Sequence, residues 1–203
     1  MAKKERPYDG KALANASRYR EWLPTLAESD QNRVFARVDE LIQQNAPYCD
    51  AGNYDHLANM FTALALYEMQ LDEGLREDEA IQAVGVPMWA FVEKHTAGSY
   101  RKVLSLPGML KVMDRVVPAG FERGSGYGWS YVWHHDLSTS KYLQFECTSC
   151  IYAQILEKYS ARRLGTIFCH ADVINYGSIP RVTFTRHHTL CQDGQTCDFL
   201  FTK

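Results

Sequence analysis

An excess of charge of either sign is missing from this chain: 22 lysines and arginines stand against 24 aspartates and glutamates in 203 residues, a formal net charge of −2. With no basic stripe to break that balance, there is no electrostatic reason to expect nucleic acid as a partner. Long apolar runs are also missing, so no stretch is expected to span a bilayer. The N-terminus, Met1-Ala2-Lys3-Lys4-Glu5-Arg6-Pro7, is charged where a signal peptide would be apolar. These absences predict a soluble, cytoplasmic protein that uses neither nucleic acid nor membrane. A chain of this length needs no disulfide staples, and in a reducing compartment its six cysteines are expected as thiols that are buried, metal-bound or catalytic. Two motifs are incomplete. Cys147-X-X-Cys150 has no second such pair to make a zinc ribbon, and Gly120, Gly124, Gly126 and Gly128 lead to no lysine-threonine pair of a phosphate loop.

What is present is enough apolar residue, 46%, to bury the core of one domain, or of one domain with a helical extension. Leu13, Tyr19, Trp22, Leu23 and Leu26 give a loose helical pattern interrupted by Pro24. Val34, Val38, Leu41 and Ile42 make a clearer stripe, with Ser29 or Asp30 as the expected cap and Pro47 beyond the end. A third helix is expected over 55–73, apolar on a face too wide for one neighbour, and within it His56 and Glu68 read as rim residues more readily than as ligands. A fourth is expected over 77–95, interrupted or kinked at Pro87, and a fifth over 109–117.

At Pro118 the pattern changes to aromatic and β-branched residues. Segments 128–136 and 141–147 read as strands, with Leu143, Phe145 and Cys147 on the core side of the second. A helix is expected to begin near Thr148 or Ser149, placing Cys150 in its first turn, where unpaired N–H groups and the positive end of the dipole favour thiolate. Phe168-Cys169-His170-Ala171-Asp172 mixes a thiol, an imidazole and a carboxylate with apolar residues, a combination costly to bury unless the groups satisfy one another or a ligand. Its plainer reading makes Cys169 a small core residue and Asp172 a helix cap.

The chain ends in a predicted β-hairpin, from Val182 through a turn at Gln192-Asp193-Gly194-Gln195 to Phe201. With a two-residue Asp193-Gly194 turn, Leu190 pairs with Cys197. Arg186 and His188 then share the inner face with Phe184, Cys197, Phe199 and Phe201, while Cys191 and Asp198 lie opposite. Polar groups on an inner face need a partner, and a buried anionic substrate is one candidate. The fold class is α+β: a helical N-terminal part, 1–117, packed on a cysteine-rich C-terminal part, 118–203, with an antiparallel sheet and one or two helices, expected as one compact unit.

Four short motifs, Cys150-X-Tyr152-Ala153, Cys169-X-X-Asp172, Arg186-X-X-Thr189-Leu190 and Gly194-X-X-Cys197-Asp198-Phe199, resemble in order the L-2-amino-thiazoline-4-carboxylic acid hydrolase family. A fainter similarity runs to vinyl-reductase-like ligand-binding domains. The chain departs from the family pattern at Ile151, where proline is expected, and Cys147, His170 and Cys191 are additional. The resemblance implies a hydrolase that opens a cyclic amidine bearing a carboxylate. In that reaction Cys150 or Cys169 attacks the amidine carbon, His188 or His170 moves protons, Asp172 holds the amidinium and Arg186 the carboxylate, with Thr189, Cys197 and Asp198 among the substrate-binding residues. The thiolate route requires no cofactor; a metal-activated water, with zinc held by cysteine and histidine, is the other route to the same product. A non-enzymatic sensor or carrier of a small ligand or zinc is the competing function.

Overall fold

The computed structural model describes residues 6–124, 126–177, 179–192 and 194–203, with the backbone alone at 100, 120 and 122–124. It is an α+β protein, with helices through most of the N-terminal part and a four-stranded antiparallel sheet near the C-terminus. The chain divides into two compact units, Met1–Phe91 and Val92–Lys203. No helix among the described residues is long and apolar enough to cross a membrane.

In the first unit α1 (Gly10–Ala16), α2 (Glu28–Gln44) and α3 (Tyr54–Asp72) pack on one another. The stripe Val34, Val38 and Leu41 is buried, as its helical spacing predicts. The expected cap at Ser29 or Asp30 is displaced: Ala27 holds the N-cap position of α2 and makes no side-chain cap. Helix α3 is buried on nearly all sides, which explains an apolar face too broad for one neighbour. Glu68 on its rim is gripped by Arg37, whose Nε and Nη2 donate to the two carboxylate oxygens at 2.6 and 3.0 Å. Helix α4 (Glu77–Val92) carries Pro87 without ending there, and the Tyr19 hydroxyl donates to the Val84 carbonyl at 3.1 Å.

The second unit contains the sheet. Helices α5 (Gly98–Leu104) and α6 (Met109–Gly124) precede β1 (Ser130–Trp133) and β2 (Tyr142–Ser149). Then come α7 (Ile151–Lys158), α8 (Thr166–Tyr176), β3 (Thr183–Thr185) and β4 (Cys197–Thr202), and the strand order is β1-β2-β4-β3. Helix α5 was not expected, and α6 runs through Pro118 to Gly124, seven residues beyond the predicted end at 117. Tertiary packing outweighs the weak helix propensity there: Phe121 lies against Tyr131, Trp133 and Phe145, with ring centroids 4.6, 5.8 and 6.3 Å away. Asp114 of α6 also accepts from Ser138 at 2.8 Å and pairs with His135 at 2.9 Å, which fastens the β1–β2 connection to the helix.

One face of the sheet is the core face. Because strand side chains alternate, Leu143, Phe145 and Cys147 point the same way, as read from the sequence, and directly opposite them on β4 stand Phe201, Phe199 and Cys197. The rings continue across the ladder, Trp133 on Phe145 at 4.4 Å and Phe145 on Phe199 at 4.7 Å. Tyr176 of α8 closes on the edges of Phe184 and Phe201. At this face the apolar cluster ends in thiols.

The hairpin differs from expectation in register. Phe184 pairs with Phe201 and Thr185 with Leu200, two residues away from a Leu190–Cys197 pairing, and the strand stops at Thr185. Residue 193 of the expected turn lies outside the described residues. A shift of two preserves side-chain parity, so Phe184 does share the face of Phe199 and Phe201. Replacing Phe201, the fully buried ring at the centre of this face, with alanine is expected to destabilise the protein by about 3–5 kcal/mol, read as a lower urea midpoint with an unchanged slope.

Candidate active site

The site forms where β2 gives way to α7. Cys147 and Cys197 are Cα partners across the β2–β4 ladder and both turn inward. Three residues after Cys147 the backbone changes direction, and Cys150 occupies the N-cap position of α7. These three cysteines form one buried cluster bordered by Trp129, Tyr131, Tyr152, Leu190 and Phe199. Cys169 comes from α8, where its spacing of three places it on the same side of the helix as Asp172. Cys191 comes from the loop between β3 and β4 and is 1% exposed. Its sulfur lies so close to Gly165 that a Cβ there would come within 2.3 Å of it, so only glycine leaves room. Five of the six cysteines thus gather in one region, all as free thiols, while Cys49 belongs to the first unit.

Their acidities divide. Cys150 is held well below the ordinary thiol value, first by a hydrogen bond from Cys147 and then by one from Cys191; burial opposes this, and the Ala153 and Tyr152 N–H groups of the first helical turn add to it. No capping hydrogen bond of ordinary geometry reaches its side chain, so the helix end acts here as a field more than as a bond. Cys169 is also lowered, chiefly by Cys191, against burial, with the Arg186 charge and Thr189 assisting. Cys147 is raised by giving its proton to Cys150 and by burial, and Cys191 by giving its proton to Cys150 and Cys169. Burial pushes Cys197 up to about 12. A thiol has one proton to donate. Cys191 therefore serves Cys150 or Cys169 at any moment, and Cys147 divides its proton between Cys150 and the Ser149 carbonyl 3.1 Å away.

Arg186 lies beside the thiols with its side chain 6% exposed. Its Nη1 donates to Asp172 at 2.9 Å and its Nη2 to the Cys169 carbonyl. The guanidinium lies 5.4 Å from the ring centre of Phe199 and 5.7 Å from that of Phe184. Burial disfavours its charge, but Asp172 and Cys169 outweigh burial and the pKa is raised. Thr189, buried, contacts Cys169 and lies 3.3 Å from Gln192. The Leu190 N–H donates to the Cys197 sulfur at 3.2 Å.

The structure therefore brings together Cys150, Cys169, Asp172, Arg186, Thr189 and Cys197. It places others elsewhere. His188, expected on the inner face, is exposed, as is His170. Cys191, expected on the opposite face, turns inward because the chain leaves the ladder after Thr185. Asp198 is on the outer face and collects backbone N–H groups of the loop. A signal for this was present in the sequence: over 186–191 neither alternating set, Arg-His-Leu nor His-Thr-Cys, makes an apolar face, which argues against a continued strand. Among the described residues no three His, Cys, Asp or Glu side chains are placed to hold a metal ion.

A family model described as L-2-amino-thiazoline-4-carboxylic acid hydrolase matches residues 55–201. The chain, an α+β protein with a buried thiol cluster, belongs to that family, and its expected substrate is correspondingly a small molecule. No curated protein and no solved structure matches it.

The crowding at Gly165 yields a double-variant test. Gly165→Ala is expected to cost about 1–3 kcal/mol by overpacking against the Cys191 sulfur. Adding Cys191→Ala should return most of that loss, so urea unfolding should give a strongly non-additive cycle.

Proposed function

We propose that the protein is a hydrolase that opens a small cyclic amidine bearing a carboxylate, of the L-2-amino-thiazoline-4-carboxylate kind, with Cys150 as nucleophile. The observation that supports this most is Cys150 itself: a thiol at the head of α7, held toward thiolate by two neighbouring thiols and two backbone N–H groups, in a chain of this family. A thiolate is the reactive form of cysteine, and an amidinium carbon is a suitable electrophile for it.

The residues give each step a carrier. The Cys150 thiolate attacks the amidinium carbon, forming a C–S bond as the C=N electron pair moves onto the ring nitrogen. Collapse of this adduct breaks the ring C–S bond, and the departing sulfur takes the proton of Cys191. The opened chain is then held on Cys150 as an isothiouronium. Water adds to the same carbon and gives a proton to the Cys191 thiolate. Cys150 leaves as thiolate while the second water proton is released, and the product is a carbamoyl compound with a free thiol. One water is consumed, and that single released proton carries away the positive charge of the amidinium. In this scheme the proton carrier is a thiol, and the exposed His188 and His170 stand outside it.

Arg186 and Asp172 supply the complementary charges. The guanidinium has five N–H donors, of which two are engaged among the described residues, by Asp172 and the Cys169 carbonyl. Its remaining donors suit a carboxylate in the planar geometry arginine favours, and Asp172 suits the amidinium. Cys169, Thr189 and Cys197 complete the lining. Cys169 is the second thiolate candidate, and the Arg186 charge beside it assists its ionised form.

Two measurements test the proposal. With L-2-amino-thiazoline-4-carboxylate as substrate and free thiol as the readout, Cys150→Ser is expected to lose turnover by at least about a thousandfold, with its urea midpoint nearly unchanged; an active variant would remove the nucleophile assignment. Because the Cys150 pKa lies below the ordinary value, its thiolate persists as pH falls below about 8.5. The acid limb of kcat/KM should accordingly lie on the acid side of that value, and rates that rise only above it would contradict the proposal.

A further inference from the structure

The Asp198 carboxylate has a different task from the residues around it. On β4 its neighbours Cys197 and Phe199 face the thiol cluster, and Asp198 itself faces the other way, opposite Glu146 in the ladder. Two like charges directly opposite on one face weaken a sheet. Each carboxylate is met by its own donors: Glu146 by His134 at 3.3 Å, and Asp198 by the loop that follows β3. Asp198 Oδ1 accepts from the His187 N–H at 3.0 Å and from the His188 N–H at 2.6 Å. Its Oδ2 lies 3.0 Å from both the backbone nitrogen and the ring Nδ1 of His187. Loop residues that leave a ladder lose their backbone partners, and here one carboxylate replaces two of them.

We propose that Asp198 is a positioning residue, the anchor that holds residues 186–192 over the thiols, and that it does not touch substrate. The loop it holds delivers Arg186 to Asp172, Thr189 to Cys169, the Leu190 N–H to Cys197 and Cys191 to both Cys150 and Cys169. A further tie on this loop is the Arg162 Nε donating to the Leu190 carbonyl at 2.9 Å, from a half-exposed side chain. Anchoring at His187 and His188 fixes the chain just before it turns inward, so the exposed histidines are the outer end of a lever whose inner end is Thr189 and Cys191. The proposal rests on the hydrolase reading only for what the delivered groups do, and its test needs no turnover.

The measurement is the iodoacetamide labelling rate of Cys191 and Cys197 in substrate-free protein, followed residue by residue by mass spectrometry in the unmodified chain, in Asp198→Asn and in Asp198→Ser. Asparagine turns an NH2 group toward an N–H donor, and serine offers a single short acceptor. Either variant is expected to label both thiols about tenfold faster, the factor that corresponds to losing one charge-assisted hydrogen bond from the closed loop. Unchanged labelling in folded variants would mean that the loop is held without Asp198 and would overturn the proposal. Should neither variant fold, deuterium exchange in the unmodified protein decides. Protected His187 and His188 amides are expected, and exchange at the rate of an open chain would refute the anchor.

Discussion

The pairing of β2 with β4 is the constraint from which the rest of the site follows. It sets Cys147 opposite Cys197 on the inner face and Glu146 opposite Asp198 on the outer one. The inner pair begins the thiol cluster, and the end of β2 just beyond it puts Cys150 at the head of α7. The outer pair supplies the carboxylate to which the following loop is tied. A one-residue slip of this ladder would exchange the two faces, moving the thiols to solvent and a carboxylate into an aromatic core. The stacked rings of Phe145, Phe199 and Trp133 make that slip costly, so core packing and site chemistry are fixed by the same register.

Five thiols in one region are an unusual way to use a buried polar inventory. Each is small and weakly polar, so burial costs less than for hydroxyls or carboxylates, yet each has one proton that a neighbour can accept. The cluster separates into donors and acceptors, with Cys147 and Cys191 raised while Cys150 and Cys169 are lowered. Arg186 brings a full positive charge beside them, balanced by Asp172 at 2.9 Å. The region thus holds lowered thiols, thiols that keep their protons and an ion pair in a low-dielectric surrounding where their mutual effects are strong.

Much of this was legible in the residues. Alternation in 143–147 placed Cys147 inward, parity along 184–201 placed Arg186 among aromatic rings, and the strand-to-helix change placed Cys150 at a helix head, although β2 runs on to Ser149 and Cys150 is the N-cap of α7 and not part of its first turn. These rest on periodicity, which is local. What was not legible depended on contacts distant in sequence. Helix α6 continues past Pro118 because Phe121 finds a slot against β1 and β2. The strand after Val182 ends at Thr185 because Asp198 takes over the N–H groups of His187 and His188, and that exchange turns His188 outward and Cys191 inward. A turn at Asp193-Gly194 looked sufficient to set the register, and a carboxylate eleven residues from His187 decided where the ladder stopped.

The central claim, covalent attack by Cys150, is tested most directly by trapping the intermediate. Protein mixed with L-2-amino-thiazoline-4-carboxylate and quenched in acid within a turnover should carry a mass increase of one substrate molecule, and fragmentation should place it on Cys150. An adduct on Cys169, or turnover that continues after Cys150 has been stoichiometrically alkylated, would contradict the account.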